Sequence, residues 1–152
     1  MQQSLTLRHL STLQVFGFSG VAVLLLFLWQ GHSGFNLWDE GFLWYGVQRV
    51  LLGEVPIRDF MAYDIGRYYW SAGLMSLADE NGIIGVRLTV ALFQALGLFV
   101  ALIMIKQVWM KQAKGQLLFL IVSAVILLEW MYPRHKLFDI SLSIFLVATL
   151  AY

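Results

Sequence analysis

The chain has no cysteine. Disulfide scaffolds, thiolate metal sites and cysteine nucleophiles are excluded, and the redox compartment leaves no trace in the sequence. Charge is scarce as well: 12% of the 152 residues are Asp, Glu, Lys or Arg, with a formal net charge of +1. No stripe of Lys and Arg runs along the chain, which argues against a reader of the nucleic-acid phosphate backbone. The H-E-x-x-H, Walker A, G-x-S-x-G and G-x-G-x-x-G motifs are all missing, so neither nucleotide-driven chemistry nor a serine-hydrolase elbow has support. Internal repeats and low-complexity tracts are absent too.

What the chain has instead is apolar length. Hydrophobic residues make up 60% of it, where soluble domains hold about 45–50%, and the mean hydropathy is +0.75. Runs over residues 12–29, 88–105 and 116–132 approach the roughly 20 residues that a bilayer crossing needs. A fourth, over 137–152, is still apolar where the sequence stops, which points to a single N-terminal piece, 1–152, of a larger membrane protein. The first run is long for a cleaved leader and no A-x-A site follows it, so an uncleaved span is the better reading. The expected fold is an all-α membrane protein. It has about four transmembrane helices, the last truncated, plus two amphipathic interfacial helices in a large external loop, residues 30–86.

Charge sets the expected orientation. Lys106, Lys111 and Lys114 cluster between the second and third runs with no acid among them, whereas residues 30–86 hold seven acids and three arginines. Positive residues collect on the cytoplasmic side. The N-terminus with Arg8 is therefore expected inside, and the loop 30–86 outside. Trp29, Trp109 and Trp130 each end a run, where indole rings favour the headgroup layer. The turn Arg134-His135-Lys136 then falls outside, against the charge rule, and binding an anionic group is one reason for its presence.

Within the loop, Asn36 can cap a helix whose first turn carries Asp39 and Glu40. Phe42, Leu43, Val47, Val50 and Leu51 form its apolar stripe, and Gly53 is a plausible stop. A turn-rich connection with Pro56 leads to a second helix over 66–78, ended by Asp79-Glu80-Asn81-Gly82. Both helices are rich in rings and are expected to lie in the membrane interface.

Three acids stand out. Asp39 and Glu40 read either as dipole-complementing acids or as a general base presented at the membrane surface. Asp139 lies two residues inside an apolar run, where a charge is paired or functional; its plain reading is an ion pair with Lys136, three residues away on the same helical face. Arg134 and Lys136, with Arg58 and Arg67 in the loop, are candidates to clamp a phosphate or pyrophosphate or, more plainly, to snorkel toward headgroups. No cofactor motif is present. A divalent cation beside the acids is the one cofactor left open.

In order and spacing, three phrases resemble the N-terminal part of a polytopic glycosyltransferase of the GT-C fold, close to its protein-mannosyltransferase-like and lipid-A- or lipopolysaccharide-modifying branches. The phrases are Asp39-Glu40 in LWDEGFLWYG, Arg87-Leu88 in NGIIGVRLTVALF and Asp139 in YPRHKLFDISLSIF. The resemblance runs from about residue 12 to 152. It implies a hexosyl- or pentosyltransferase in the bacterial inner membrane. Such an enzyme transfers sugar, with inversion, from a polyprenyl-phosphate donor to an acceptor on the periplasmic face. Asp39 would be the catalytic base with Glu40 in support, Asp139 would complete the acidic site, and Arg134 or Lys136 would meet the donor phosphate. Asp39 and Asp139 would then converge on one external cavity. Many relatives carry Lys-Pro-Pro where this chain has Asp64-Ile65-Gly66-Arg67, and all carry many more spans, so 1–152 alone is expected to be inactive. The rival readings are a non-enzymatic small membrane subunit and a transporter fragment. A transporter would hold its acids near the bilayer midplane.

Overall fold

The computed structural model describes residues 10–79, 81–109, 115–131 and 136–151. Arg8, Glu80, Lys111, Lys114, Arg134 and His135 lie outside the described residues. Among those described, six helices follow one another: α1 Thr12–Gln30, α2 Glu40–Leu51, α3 Gly66–Ala78, α4 Ile83–Trp109, α5 Gln116–Trp130 and α6 Leu137–Ala151. No strand forms among them; an isolated bridge joins Pro56 to Phe60.

Local interactions mark several helix ends. A reciprocal capping box opens α1: the Gln14 amide donates to Ser11 Oγ at 3.2 Å, and the Ser11 amide to Gln14 Oε1 at 2.8 Å. The helical turn that leads into α2 begins at Asn36, whose Oδ1 accepts from the Trp38 and Asp39 amides at 3.0 and 3.3 Å. A left-handed Gly53, φ +86°, closes the turn after α2, and a left-handed Asp79, φ +51°, ends α3.

Two helices, α1 and α4, are long and apolar enough to cross a membrane. The 27 residues of α4 extend about 40 Å at 1.5 Å per residue, beyond the expected 88–105 at both ends. The described parts of α5 and α6, 15 residues each, reach only about 22 Å, short of a hydrocarbon core of about 30 Å. Much of α1 faces outward, with Leu13, Phe16, Leu24, Leu25, Leu28 and Trp29 exposed.

Helix α4 is the spine, with α1 on one flank, α6 on another, and α5 and α3 also against it. Two apolar clusters are strung along it. Val15, Val23, Leu98, Leu102, Leu120 and Ala124 join α1, α4 and α5. Leu43, Val47, Tyr68, Ala72, Met75, Val86, Val90, Leu137 and Phe138 join α2 and α3 to the starts of α4 and α6. At one end of the bundle, the Leu10 amide donates to Gln116 Oε1 at 3.2 Å. The end of α1, the helix pair α2–α3 and the starts of α4 and α6 meet at the other.

Gly46 is why α2 and α3 sit so close. A Cβ at this position would overlap the ring of the fully buried Tyr68. The pair is tied to α4 by polar bonds as well. Trp70 Nε1 donates to the Thr89 carbonyl at 2.9 Å, and Thr89 Oγ1 to Ser71 Oγ at 2.8 Å. Trp44 Nε1 and Gln48 Nε2 both donate to the Asn81 carbonyl, each at 2.9 Å.

Candidate functional site

Four of the expected residues, Asp39, Glu40, Arg67 and Asp139, fall into two groups at the α2–α3 end. The first is built on Arg87, one turn into α4. Its side chain is only 4% exposed. The guanidinium forks onto Glu40, with Nε to Oε1 at 3.0 Å and Nη2 to Oε2 at 2.8 Å. Nη1 donates to the Gly31 carbonyl at 2.8 Å, and Nη2 reaches the Gly34 carbonyl. The Asn36 amide adds a bond to Glu40 Oε2 at 3.2 Å. A buried charge needs a partner and filled hydrogen-bond valences, and this pair has both. Glu40 is thus half of a clamp that fixes the exit of α1 and the entry of α2 onto α4. The Arg-Leu phrase marked Arg87 in the sequence without assigning it work. Its position inside an apolar helix was the signal that it needed a partner.

Asp39 stands beside the clamp, half-buried, with Oδ2 accepting from Asn36 Nδ2 at 2.6 Å. Asn36 therefore does two things. It caps the turn through Oδ1 and orients the Asp39 carboxylate through Nδ2.

The second group joins α3 to α6. Arg67, 6% exposed, places Nη2 against Asp64 Oδ2 and 3.5 Å from Asp139 Oδ1. Its guanidinium carbon lies 5.0 Å from the Tyr63 ring centre and 6.0 Å from that of Phe138. These are cation–π distances. Burial pushes the hydroxyl of neighbouring Tyr68 above its ordinary range. Among the described residues Asp139 pairs with Arg67, not with Lys136, which is exposed at the start of α6. Local spacing offered the lysine. Tertiary packing brought in an arginine with less water around it, and so less screening.

Asp139 also borders an apolar groove of about 450 Å³, with Ala101, Met104, Ile105, Trp130, Ile140, Ser143, Ile144 and Val147. Asp39 is not among the residues that line it. Arg58 stays in its own loop, exposed, with Nε and Nη2 on Asp59 at 2.9 and 2.7 Å. Those bonds, and one from the Val55 amide, pull the Asp59 carboxyl down to about 2. Among the described residues no group of three or more His, Asp or Glu is placed to hold a metal ion.

No family model matches the chain, and no curated protein or solved structure is significantly similar to it.

Proposed function

We propose that this chain is the N-terminal portion of an integral-membrane glycosyltransferase, moving a sugar from a polyprenyl-phosphate donor to an acceptor at the outer face of the bacterial inner membrane. In this reading α1, α4, α5 and α6 all cross the bilayer, the N-terminus is cytoplasmic, and α2 and α3 lie in the outer interface. Asp39 is the base. The observation that carries the reading is the setting of Asp39: the residue is half-buried, and its carboxylate accepts from Asn36 Nδ2 at 2.6 Å. Its neighbour Glu40 is locked to Arg87. A base accelerates proton transfer when it is held in one place against the acceptor hydroxyl. The clamp holds the start of α2 next to Asp39 in one place as well.

The resemblance of the three sequence phrases supplies the substrate class, and Arg134 and Lys136 remain the candidates for the donor phosphate. The exposed Trp38, Met61 and Leu77, each more than 80% accessible, favour a second reading, a non-catalytic subunit that docks a partner through this end.

The deciding experiment measures transfer of radiolabelled sugar from a polyprenyl-phosphate donor in membranes holding the complete gene product. Asp39→Asn is expected to lower the rate by about 100-fold or more, the scale of general-base catalysis, with insertion unchanged. Transfer at the wild-type rate in that variant would overturn the proposal. Residues 1–152 alone are expected to transfer nothing.

A further inference from the structure

We infer that Arg67 is a latch that holds α3 to α6 and positions Asp139, and is not a ligand for substrate phosphate; the positioning half of this rests on the glycosyltransferase reading, the latch half does not. Sequence alone made Arg67 a phosphate-clamp candidate. A phosphate clamp needs donors turned toward a ligand. The Arg67 side chain is 5% exposed, and Nη2 is already shared by two carboxylates. Its guanidinium also lies within cation–π reach of the Tyr63 and Phe138 rings. Nε has no hydrogen-bond partner but is itself buried, so a phosphate meeting this guanidinium would have to leave water beside two carboxylates already in place.

The two carboxylates are not held alike. Asp64, three residues before Arg67, is tied to it across the first turn of α3, in a left-handed conformation with φ +50°. Asp139 arrives from another helix, sits at the longer 3.5 Å, and keeps 49% of its side chain exposed. One carboxylate therefore anchors the arginine, and the arginine steers the other. Asp139 keeps open surface at the edge of the groove while its direction is set from α3. That is how an acid is held for work rather than neutralised by its partner. Phe138, packed against Phe93 at 4.8 Å between ring centres, fixes the same turn of α6 from the other side.

The test combines a double-mutant cycle with kinetics, on the complete gene product in membranes. Thermal unfolding is measured for wild type, Arg67→Gln, Asp139→Asn and the double variant. Asp139 is half-exposed, so its variant keeps the fold even if Arg67→Gln is badly destabilised. Arg67→Lys is the folded substitute in that event. The expected result is that the double variant melts no lower than Arg67→Gln alone. Additive losses would overturn the latch. For transfer, Arg67→Lys is expected to lower kcat about tenfold with the KM for the lipid-phosphate donor within about twofold, the signature of lost orientation rather than lost binding. A donor KM raised tenfold with kcat kept would overturn the positioning role and restore Arg67 as a phosphate ligand. If wild type itself transfers no sugar, the glycosyltransferase reading and the positioning role fall together. The melting cycle still decides whether the latch exists.

Discussion

Arg87 is the residue on which this end of the bundle depends. Four of its hydrogen bonds reach three separate points of the chain: Gly31, Gly34 and Glu40. Removing it strands a carboxylate that is largely out of water. Arg87→Ala is expected to cost about 3–5 kcal/mol, the scale for breaking a buried pair from one side, read by thermal unfolding in detergent. Glu40→Gln with Arg87→Met, which removes both charges together, is expected to return much of that loss, because the penalty lies in the unpaired charge. If the double variant proves no more stable than Arg87→Ala, the clamp acts through its carbonyl bonds and not through its charge. Glu40 thereby separates from Asp39 in kind. Adjacent in sequence, Glu40 faces a buried arginine and Asp39 accepts from the exposed Asn36 side-chain amide; under the proposed function the first acid is structural and the second chemical.

At the scale of elements, the close approach of α4 and α6 is set by Gly97. A Cβ there would overlap both Oγ and Cβ of the buried Ser141. Gly97→Ala is expected to destabilise the protein by about 1–3 kcal/mol, as overpacking does. Ser141→Gly is expected to relieve part of that loss in the same unfolding measurement. No relief would mean that α6 is not in register with α4 as described. Helix positions were largely legible in the sequence because they follow from local pattern. The capping residue Asn36, the stop at Gly53, and the helix over 66–78 all rest on interactions within a turn or two. The start of α4 was not legible from hydropathy. Ile83 to Arg87 breaks the apolar window with a charge, yet the helix runs through it because Glu40 neutralises that charge from 47 residues away. The same limit hid the partner of Asp139. Spacing along one helix offers Lys136, and only the packing of α3 on α6 reveals Arg67. Both site pairings are long-range, and a one-dimensional pattern carries no signal for which cation meets which acid.

For the whole molecule, the fold separates a two-helix cap from a bundle threaded on α4. In the proposed topology the cap lies outside and the opposite ends lie in the cytoplasm, and the absence of cysteine gives a clean way to check it. Met61→Cys, at a site 82% exposed in the cap, is expected to react with a membrane-impermeant maleimide added outside spheroplasts. Gln107→Cys, exposed near the opposite end of α4, is expected to react only after permeabilisation. The reverse pattern would invert the topology and remove the periplasmic setting from the proposed chemistry.

The Arg87 clamp also bears on how the protein is made. Glu40 leaves the ribosome well before Arg87, and the Gly31 and Gly34 carbonyls earlier still. Until α4 arrives, the cap has no fastening to the second long helix, and Glu40 lacks its arginine. When α4 enters, its arginine meets a counter-charge and two carbonyls already waiting. The costly step of placing a cation near an apolar helix is thus matched in time with the event that closes the cap. Assembly order is written into the chain: the cap cannot be fastened before the second long helix is in place.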